Sequence, residues 1–227
     1  MDEFMSESEQ WELVKRWLRE NALWIVGGVV LGVAGLAGWR MWLERVDRLA
    51  MEASGRYEQA LDAFSRGDRT RGYTIVDELR RDHDGSPYAD QGDLLAARIH
   101  VDAGEYDKAG ERLNRVMTKS HDAELATVAC GRLARVRLEE GKPDEALALL
   151  KGHEGGAFAP QFDEIRGDAL VAKGDREGAL TAYRAARAGA TDGIADPGLL
   201  ELKMVALEPA TATQPAPATQ PAPAKAD

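Results

Sequence analysis

The residue types that most often carry out chemistry are few in this chain, and they are scattered. Its four histidines are His83, His100, His121 and His153, and none has a second ligand at the spacing of a metal site. The single cysteine, Cys130, cannot form an intramolecular disulfide, and the repeat pattern described below places it inside a helix as a small buried side chain. No HExxH, CxxC, Walker A or GxSxG motif is present. We therefore expect no catalytic residue, metal or cofactor, and we keep an enzyme with an unrecognised site as an alternative.

The composition favours helices and disfavours a nucleic-acid partner. Ala, Leu, Glu, Arg and Gly dominate the 227 residues, and aromatic residues make up 6 %. Such a composition is typical of helix rather than sheet. The net charge of −10 repels phosphate backbones. We expect an all-α protein that binds neither nucleic acid nor a small-molecule substrate.

An uncharged run near the N-terminus predicts a membrane-spanning helix. Residues 22–39 carry no charge, and as a helix they extend over about 27 Å, close to the thickness of a bilayer core. Trp24 and Trp39 lie near its two ends, where tryptophan favours the membrane interface. We predict a short cytoplasmic segment at 1–20 and a transmembrane helix at 21–42. A signal peptide cleaved near Gly35-Leu36-Ala37 and a buried soluble helix are the alternatives, although the acidic start is unlike a signal peptide.

Small residues mark one face of this span. Gly28, Gly32 and Gly35 fall on one side of a helix, and Gly28 and Gly32 form a GxxxG pair. Such a face lets a second membrane helix approach closely, although glycine is also common in membrane helices in general.

Charge does not decide the orientation of the span. Three basic residues precede the span and three follow it: Lys15, Arg16, Arg19, Arg40, Arg45 and Arg48. The positive-inside rule therefore gives no preference.

A short pattern recurs four times after the span. A glycine, often followed by a charged residue, precedes a small residue five positions later, and the copies start at Gly67, Gly104, Gly141 and Gly174. The last copy matches a tetratricopeptide repeat most fully, through Gly167, Leu170, Gly174, Ala179, Tyr183 and Ala186. We predict an α-solenoid of about four helix pairs within a domain at 43–208. A capping helix begins at Asp196-Pro197, and a disordered Pro/Ala-rich tail follows at 209–227.

In such a solenoid the first helix of each pair lines the concave side. We predict that this side is a protein-binding face. Its members are Gln91, Leu94, Arg98, Val101, Val128, Arg135, Leu138, Gln161, Glu164 and Asp168. Arg98 and Arg135 occupy the same repeat position, so we expect them to lie side by side and to be able to hold a carboxylate or carbonyl group. The alternative is that each arginine pairs with an acid on its own helix.

The segment VKRWLRENALWIVGGVVLGVAGLAGWRMW, at 14–42, resembles the N-terminus of the YfgM-like family of ancillary SecYEG translocon subunits. LARVRLEEGKPDEALALL from Leu133 and IRGDALVAKGDREGAL from Ile165 are similar to that family's repeats. The resemblance covers about 10–207 and implies an inner-membrane anchor, a cytoplasmic N-terminus and a periplasmic repeat domain. It also implies association with the SecYEG translocon and with periplasmic chaperones. The leading hypothesis is a scaffold or chaperone-like accessory subunit of the translocon, and the alternative is a cytoplasm-facing scaffold that recruits soluble proteins to the membrane.

Overall fold

The chain is helical through most of residues 7–153, 155–190 and 195–207, the ranges that the computed structural model describes. No strand occurs within these ranges, so the predicted all-α class is confirmed. The chain divides into two units at Gly55, Met1–Gly55 and Arg56–Asp227. The predicted Pro/Ala-rich tail lies outside the described residues.

The first helix, α1, spans Glu7–Ser65 and is 59 residues long. It contains an 18-residue window with a mean hydropathy of 1.9, none of which is buried. Large apolar side chains there face outward: Leu23 is 83 % and Trp24 81 % exposed. This exposure argues against a buried core helix. Length and composition make α1 a candidate for crossing a membrane.

Helix α1 does not end where the sequence predicted the membrane span to end. It continues past residue 42 to Ser65, so that its C-terminal part is also the first helix of the first repeat. No proline interrupts residues 43–65, and Arg40 Nε donates a hydrogen bond to Glu44 Oε1 one turn later, at 3.3 Å. The sequence analysis predicted a span at 21–42 and a repeat domain from residue 43, and a repeat pattern does not show whether one helix joins them.

Eight further helices follow α1 within the described residues. They are α2 (Arg69–Asp82), α3 (Pro87–Asp102), α4 (Tyr106–Lys119), α5 (Ala123–Glu139), α6 (Pro143–Leu149), α7 (Ala159–Ala172), α8 (Arg176–Gly189) and α9 (Pro197–Leu207). The end of α1 pairs with α2, and α3–α4, α5–α6 and α7–α8 form the other pairs. This arrangement confirms the predicted four helix pairs and a capping helix.

The four predicted turn glycines end the first helix of each pair. Gly67, Gly104, Gly141 and Gly174 have φ angles of +80°, +72°, +72° and +79°, a left-handed conformation that glycine adopts without the steric penalty of a Cβ atom.

The small residues five positions after these glycines are buried where paired helices cross. Ala109, Ala146 and Ala179 are each 0 % exposed. In the first copy this position is Gly72, where an added Cβ atom would lie 2.5 Å from the Phe64 ring. The close ring of Phe64 explains why the first repeat has glycine rather than alanine here.

The second helix of the third pair is shorter than the pattern predicted. Helix α6 has seven residues and ends at Leu149, and Gly152 and Gly156 follow it with φ angles of +84° and +90°. These glycines end the helix early, since each residue with positive φ interrupts helical geometry.

Helix α9 caps the last pair, as predicted. Asp196 Oδ1 accepts hydrogen bonds from the backbone N–H groups of Gly198 at 2.8 Å and Leu199 at 3.3 Å. Leu200 and Met204 are buried in a cluster with Tyr183 of α8. The helix thereby covers apolar surface that the last repeat would otherwise expose.

Candidate protein-binding groove

Two neighbouring first helices, α3 and α5, border a groove of about 490 Å³. Its lining residues are Ala97, Arg98, Val101, Tyr106, Leu113, Arg132, Arg135, Val136 and Glu139. Three residues of the predicted concave face, Arg98, Val101 and Arg135, therefore lie together, and the expectation that the two arginines share a location agrees with the structure.

Local sequence signals set the positions of the two helices. Ser86 Oγ caps α3 by accepting from the Tyr88 backbone N–H, and Asp122 Oδ1 caps α5 by accepting from the N–H of Glu124 and Leu125. Each helix is followed, at its other end, by a positive-φ glycine. Arg98 and Arg135 each lie six residues before that glycine, so the repeat itself brings them to equivalent places.

Arg132 is the groove arginine that the sequence analysis missed. It lies three positions before Arg135, which places the two side chains on one face of α5. Burial lowers the pKa of the Arg132 guanidinium, and the neighbouring charges of Arg98 and Arg135 lower it further. The helical spacing from Arg135 was the signal that could have identified it.

The groove arginines have little internal charge compensation. Among residues 7–153, 155–190 and 195–207, no carboxylate oxygen lies within 4.0 Å of a guanidinium nitrogen of Arg98 or Arg132. Arg135 has one distant partner, Glu164, at 3.8 Å. The alternative that Arg98 and Arg135 pair with acids on their own helices is not what the structure shows, because Glu164 belongs to α7.

Arginines elsewhere in the domain are paired differently. Arg80 and Arg112 are 11 % and 12 % exposed, and both contact the fully buried Asp93, at 2.8 and 2.9 Å. Asp90 and Asp77 add a second ion pair to Arg80 and Arg112 respectively. These two arginines are nearly buried and paired with carboxylates, whereas the three arginines of the groove are exposed to solvent.

The remaining residues of the predicted face are less available for binding. Leu94 is buried in the core, and Val128 and Leu138 are half-buried against it. Gln91 and Gln161 are also half-buried.

Two acidic residues predicted for this face already have an internal partner. Lys203 Nζ of α9 donates to Glu164 Oε1 at 2.7 Å and to Asp168 Oδ1 at 2.8 Å, and the Tyr183 hydroxyl also donates to Asp168, at 2.7 Å. These bonds raise the pKa of Lys203 even though burial opposes its charge. In the last repeat, the capping helix thus occupies the carboxylates that the sequence assigned to partners.

His100 and Cys130 pack within the repeat domain and do not form a reactive site. The His100 ring stacks on Tyr73 with centroids 4.1 Å apart, and its Nδ1 lies 2.6 Å from Glu105 Oε2. Cys130 is 3 % exposed, and burial raises the pKa of its thiol. Within the described part of the chain, no three His, Cys, Asp or Glu side chains are grouped as a metal site would require.

The predicted glycine face of α1 has no close neighbour among the described residues. A Cβ atom added at Gly28, Gly32 or Gly35 would meet nothing within 4 Å. A face of this kind could accommodate a second membrane helix at close range.

Paired antiparallel helices with glycine turns and buried alanines at their crossings define a tetratricopeptide-like repeat protein, and a family model for a tetratricopeptide repeat-like domain matches residues 15–209. The solved structure of a MamA RS-1 ArsTM double mutant has the same fold, with a TM-score of 0.51 at 14 % identity over 68 % of this chain and 93 % of that one.

Curated relatives narrow the class further. The ancillary SecYEG translocon subunit of Escherichia coli (strain K12) is 33 % identical over 185 residues, which cover 82 % of this chain and 89 % of that protein. The subunit of the same name from Aggregatibacter actinomycetemcomitans is 28 % identical over 88 % of this chain and 97 % of its own. The protein from Neisseria gonorrhoeae is 25 % identical over 90 % and 98 %. The chain belongs to the family of ancillary SecYEG translocon subunits.

Proposed function

We propose that this protein is a non-enzymatic accessory subunit of the Sec translocon, anchored in the inner membrane by α1, with its repeat domain in the periplasm. There it binds emerging proteins or recruits periplasmic chaperones to them. The observation that carries the proposal is the 33 % identity to the E. coli subunit over 89 % of that protein's length. The family model matches residues 15–209, a range that includes the candidate span as well as the repeat helices.

The arrangement of the chain supports a scaffold. Helix α1 offers a candidate span with a glycine face for a membrane partner, and the repeat unit offers an open groove for a soluble one. An accessory subunit needs both contacts, since it must stay at the translocon while it holds another protein.

The test of the assignment is co-purification of the full chain with SecYEG from detergent-solubilised inner membranes. We expect SecYEG to be recovered with the parent protein, and recovery at the level of an unrelated single-span protein would contradict the proposal. The chain should also resist alkaline carbonate extraction, whereas its release by carbonate, or a mature N-terminus near Gly38, would show that α1 is not a retained anchor.

The glycine face is tested separately. Gly28→Leu with Gly32→Leu keeps the span hydrophobic but holds helix backbones apart, so we expect insertion to persist and SecYEG recovery to fall. A matched control changes Val29 and Val33, one position on, to leucine. Equal SecYEG recovery with both double variants would mean that the repeats alone make the contact.

A cytoplasm-facing scaffold is the second candidate function, and the equal numbers of basic residues on the two sides of the span favour it as much as the first. A C-terminal reporter enzyme that is active only outside the cytoplasm separates the two. We expect activity, and an inactive but fully produced fusion would favour the cytoplasmic orientation.

A further inference from the structure

We propose that the groove between α3 and α5 binds an internal, extended peptide segment in which an Asp or Glu side chain stands next to an apolar residue. The inference rests on the proposed function, because it names the class of segment that the repeat domain would hold. The three guanidinium groups of Arg98, Arg132 and Arg135 bind the carboxylate, and the apolar floor of the groove receives the neighbouring side chain.

Charge complementarity is the first argument. The chain carries a net charge of −10, yet this groove collects three arginines, two of which have no carboxylate partner in the described ranges. The three side chains are exposed to solvent, and like charges close together repel each other. A ligand carboxylate would supply the counter-charge that the domain supplies internally to Arg80 and Arg112 through Asp93.

The donor geometry selects a carboxylate. Each guanidinium presents a planar fork of N–H donors that fits the two oxygens of a carboxylate, and charge-assisted bonds of this kind are about twice as strong as neutral ones. Arg132 and Arg135 belong to α5 and Arg98 to α3, and all three line the groove. We therefore expect donors from both helices to contact one bound anion.

The rest of the lining selects an apolar neighbour. Val101, Tyr106, Leu113 and Val136 contribute apolar surface, and the volume of about 490 Å³ is within the usual range of ligand sites. Glu139 lies on the same lining and could accept a hydrogen bond from a peptide N–H group. A carboxylate alone would leave this apolar surface exposed to water.

The location of the groove favours an internal segment over a chain terminus. Helix α5 also packs against α7, and α3 also packs against α2. The groove is thus in the middle of the row of helices, and a bound chain can continue in both directions.

The melting temperature separates a binding role of these arginines from a structural one. Because Arg98 and Arg132 have no described acidic partner, replacing both with glutamine leaves no carboxylate unpaired and removes like-charge repulsion. Arg135 stays unchanged because it is the groove arginine with a partner, Glu164. The double variant should therefore lose binding while its melting temperature stays equal or rises, an effect that a merely structural role would not produce.

The experiment uses the full chain in detergent micelles and fluorescence anisotropy with labelled peptides blocked at both ends. The first probe is Gly-Ser-Leu-Glu-Val-Ser-Gly, and the second has Gln in place of Glu. We expect the acidic probe to bind at least about tenfold more tightly, the range of a charged hydrogen bond, and Arg98→Gln with Arg132→Gln to abolish that difference. The matched control is Arg184→Gln with Arg187→Gln, which replaces two exposed arginines of α8 and should retain the preference for the acidic probe.

Other outcomes would overturn the inference. These are an undiminished preference in the groove variant, an equal loss in the α8 control, or no preference in the parent protein. If the glutamine variant melts at a lower temperature, Arg98→Lys with Arg132→Lys decides, because lysine keeps the charge and should restore part of the preference. A third probe, Gly-Ser-Leu-Gln-Val with a free C-terminus, should bind weakly. Groove-dependent binding of this probe as tight as that of the acidic one would show that the groove takes chain ends instead.

The two proposals can fail separately. The groove variant should still co-purify with SecYEG, because the membrane contact is assigned to α1. Selective peptide binding without SecYEG recovery would contradict the translocon assignment but support the groove inference. SecYEG recovery without selective peptide binding would support the translocon assignment but contradict the groove inference.

Discussion

Asp93→Asn tests whether the buried ion pairs hold the first half of the repeat stack together. Asp93 is fully buried in α3, where Oδ2 accepts from Arg80 Nε at 3.0 Å and Oδ1 from Arg112 Nη1 at 2.9 Å. Asparagine keeps the shape of the side chain. It removes the negative charge and replaces one acceptor oxygen with an NH₂ group that faces a guanidinium.

The partners of the two arginines set the expected magnitude. Removing one member of a buried pair destabilises a protein by about 3–5 kcal/mol when the other charge is left alone. Here Arg80 keeps Asp90 at 2.7 Å and Arg112 keeps Asp77 at 2.6 Å. Arg115, which contacts Asp93 at 3.5 Å, is 41 % exposed, so none of the three arginines is left both buried and unpaired. We therefore expect the lower end, about 3 kcal/mol, which for a domain of this size lowers the melting temperature by about 6–12 °C.

Thermal unfolding followed by circular dichroism measures the change. The control is Asp144→Asn, whose side chain is 81 % exposed and pairs with Lys173 at 2.6 Å. An exposed pair contributes about 0–1 kcal/mol, so this control should melt close to the parent protein. If Asp93→Asn and Asp144→Asn lower the melting temperature equally, burial does not govern these ion pairs and the reasoning is wrong.

Three further predictions concern packing, pH and the cap. Ala146→Leu overpacks a helix crossing and should lower the free energy of unfolding by about 1–3 kcal/mol. The control, Ala148→Leu, lies on the exposed face of the same helix and should leave that free energy unchanged. Equal melting temperatures for the two variants would refute the assigned crossing. The hydrogen bond from His100 lowers the pKa of Glu105. The ionised carboxylate therefore stabilises the fold above its ordinary pKa of 4.5, and this stabilisation is lost as the pH falls through the lower folded value. Glu105→Gln should thus reduce the melting temperature at pH 7 but not well below pH 4.5, and a reduction of the same size at both pH values would contradict this. Lys203→Met leaves Glu164 and Asp168 of α7 without their main cation. We therefore expect the free energy of unfolding to fall by about 1–3 kcal/mol and amide hydrogen exchange in α9 to become faster. Unchanged exchange in α9 would show that apolar packing alone holds the cap.

The repeat turns were predictable because two short-range physical requirements fix each of them. A helix pair needs a left-handed residue between its members and a small residue where the helices cross, and both requirements act within a few positions of the chain. Gly104 with Ala109, and Gly141 with Ala146, show this directly, because the glycines have positive φ and the alanines are fully buried. Short-range spacing in the sequence carries that information.

Pairing between helices was not predictable in the same way. The bond of Lys203 to Asp168 and that of Arg112 to Asp93 join residues that are 35 and 19 positions apart, and each depends on the reach of a long side chain. The residues of the predicted concave face lie on α3, α5 and α7, but their sequence pattern could not show that Glu164 and Asp168 would be bonded to Lys203 of the cap. The continuity of α1 was missed for a related reason, because apolar periodicity marks a span but not the helix end that follows it.

The contrast between two sets of arginines connects the fold to the proposed function. Both sets lie between neighbouring helices, and the same chain supplies aspartates to one set and not to the other. In a chain with ten more acidic than basic residues, a pair of uncompensated arginines is not explained by a shortage of carboxylates. Arg98 and Arg132 are exposed to solvent, and a binding site must keep its donors free until the ligand arrives. The groove between α3 and α5 is thus where the proposed acidic segment would supply the counter-charge that Asp93 supplies to Arg80 and Arg112.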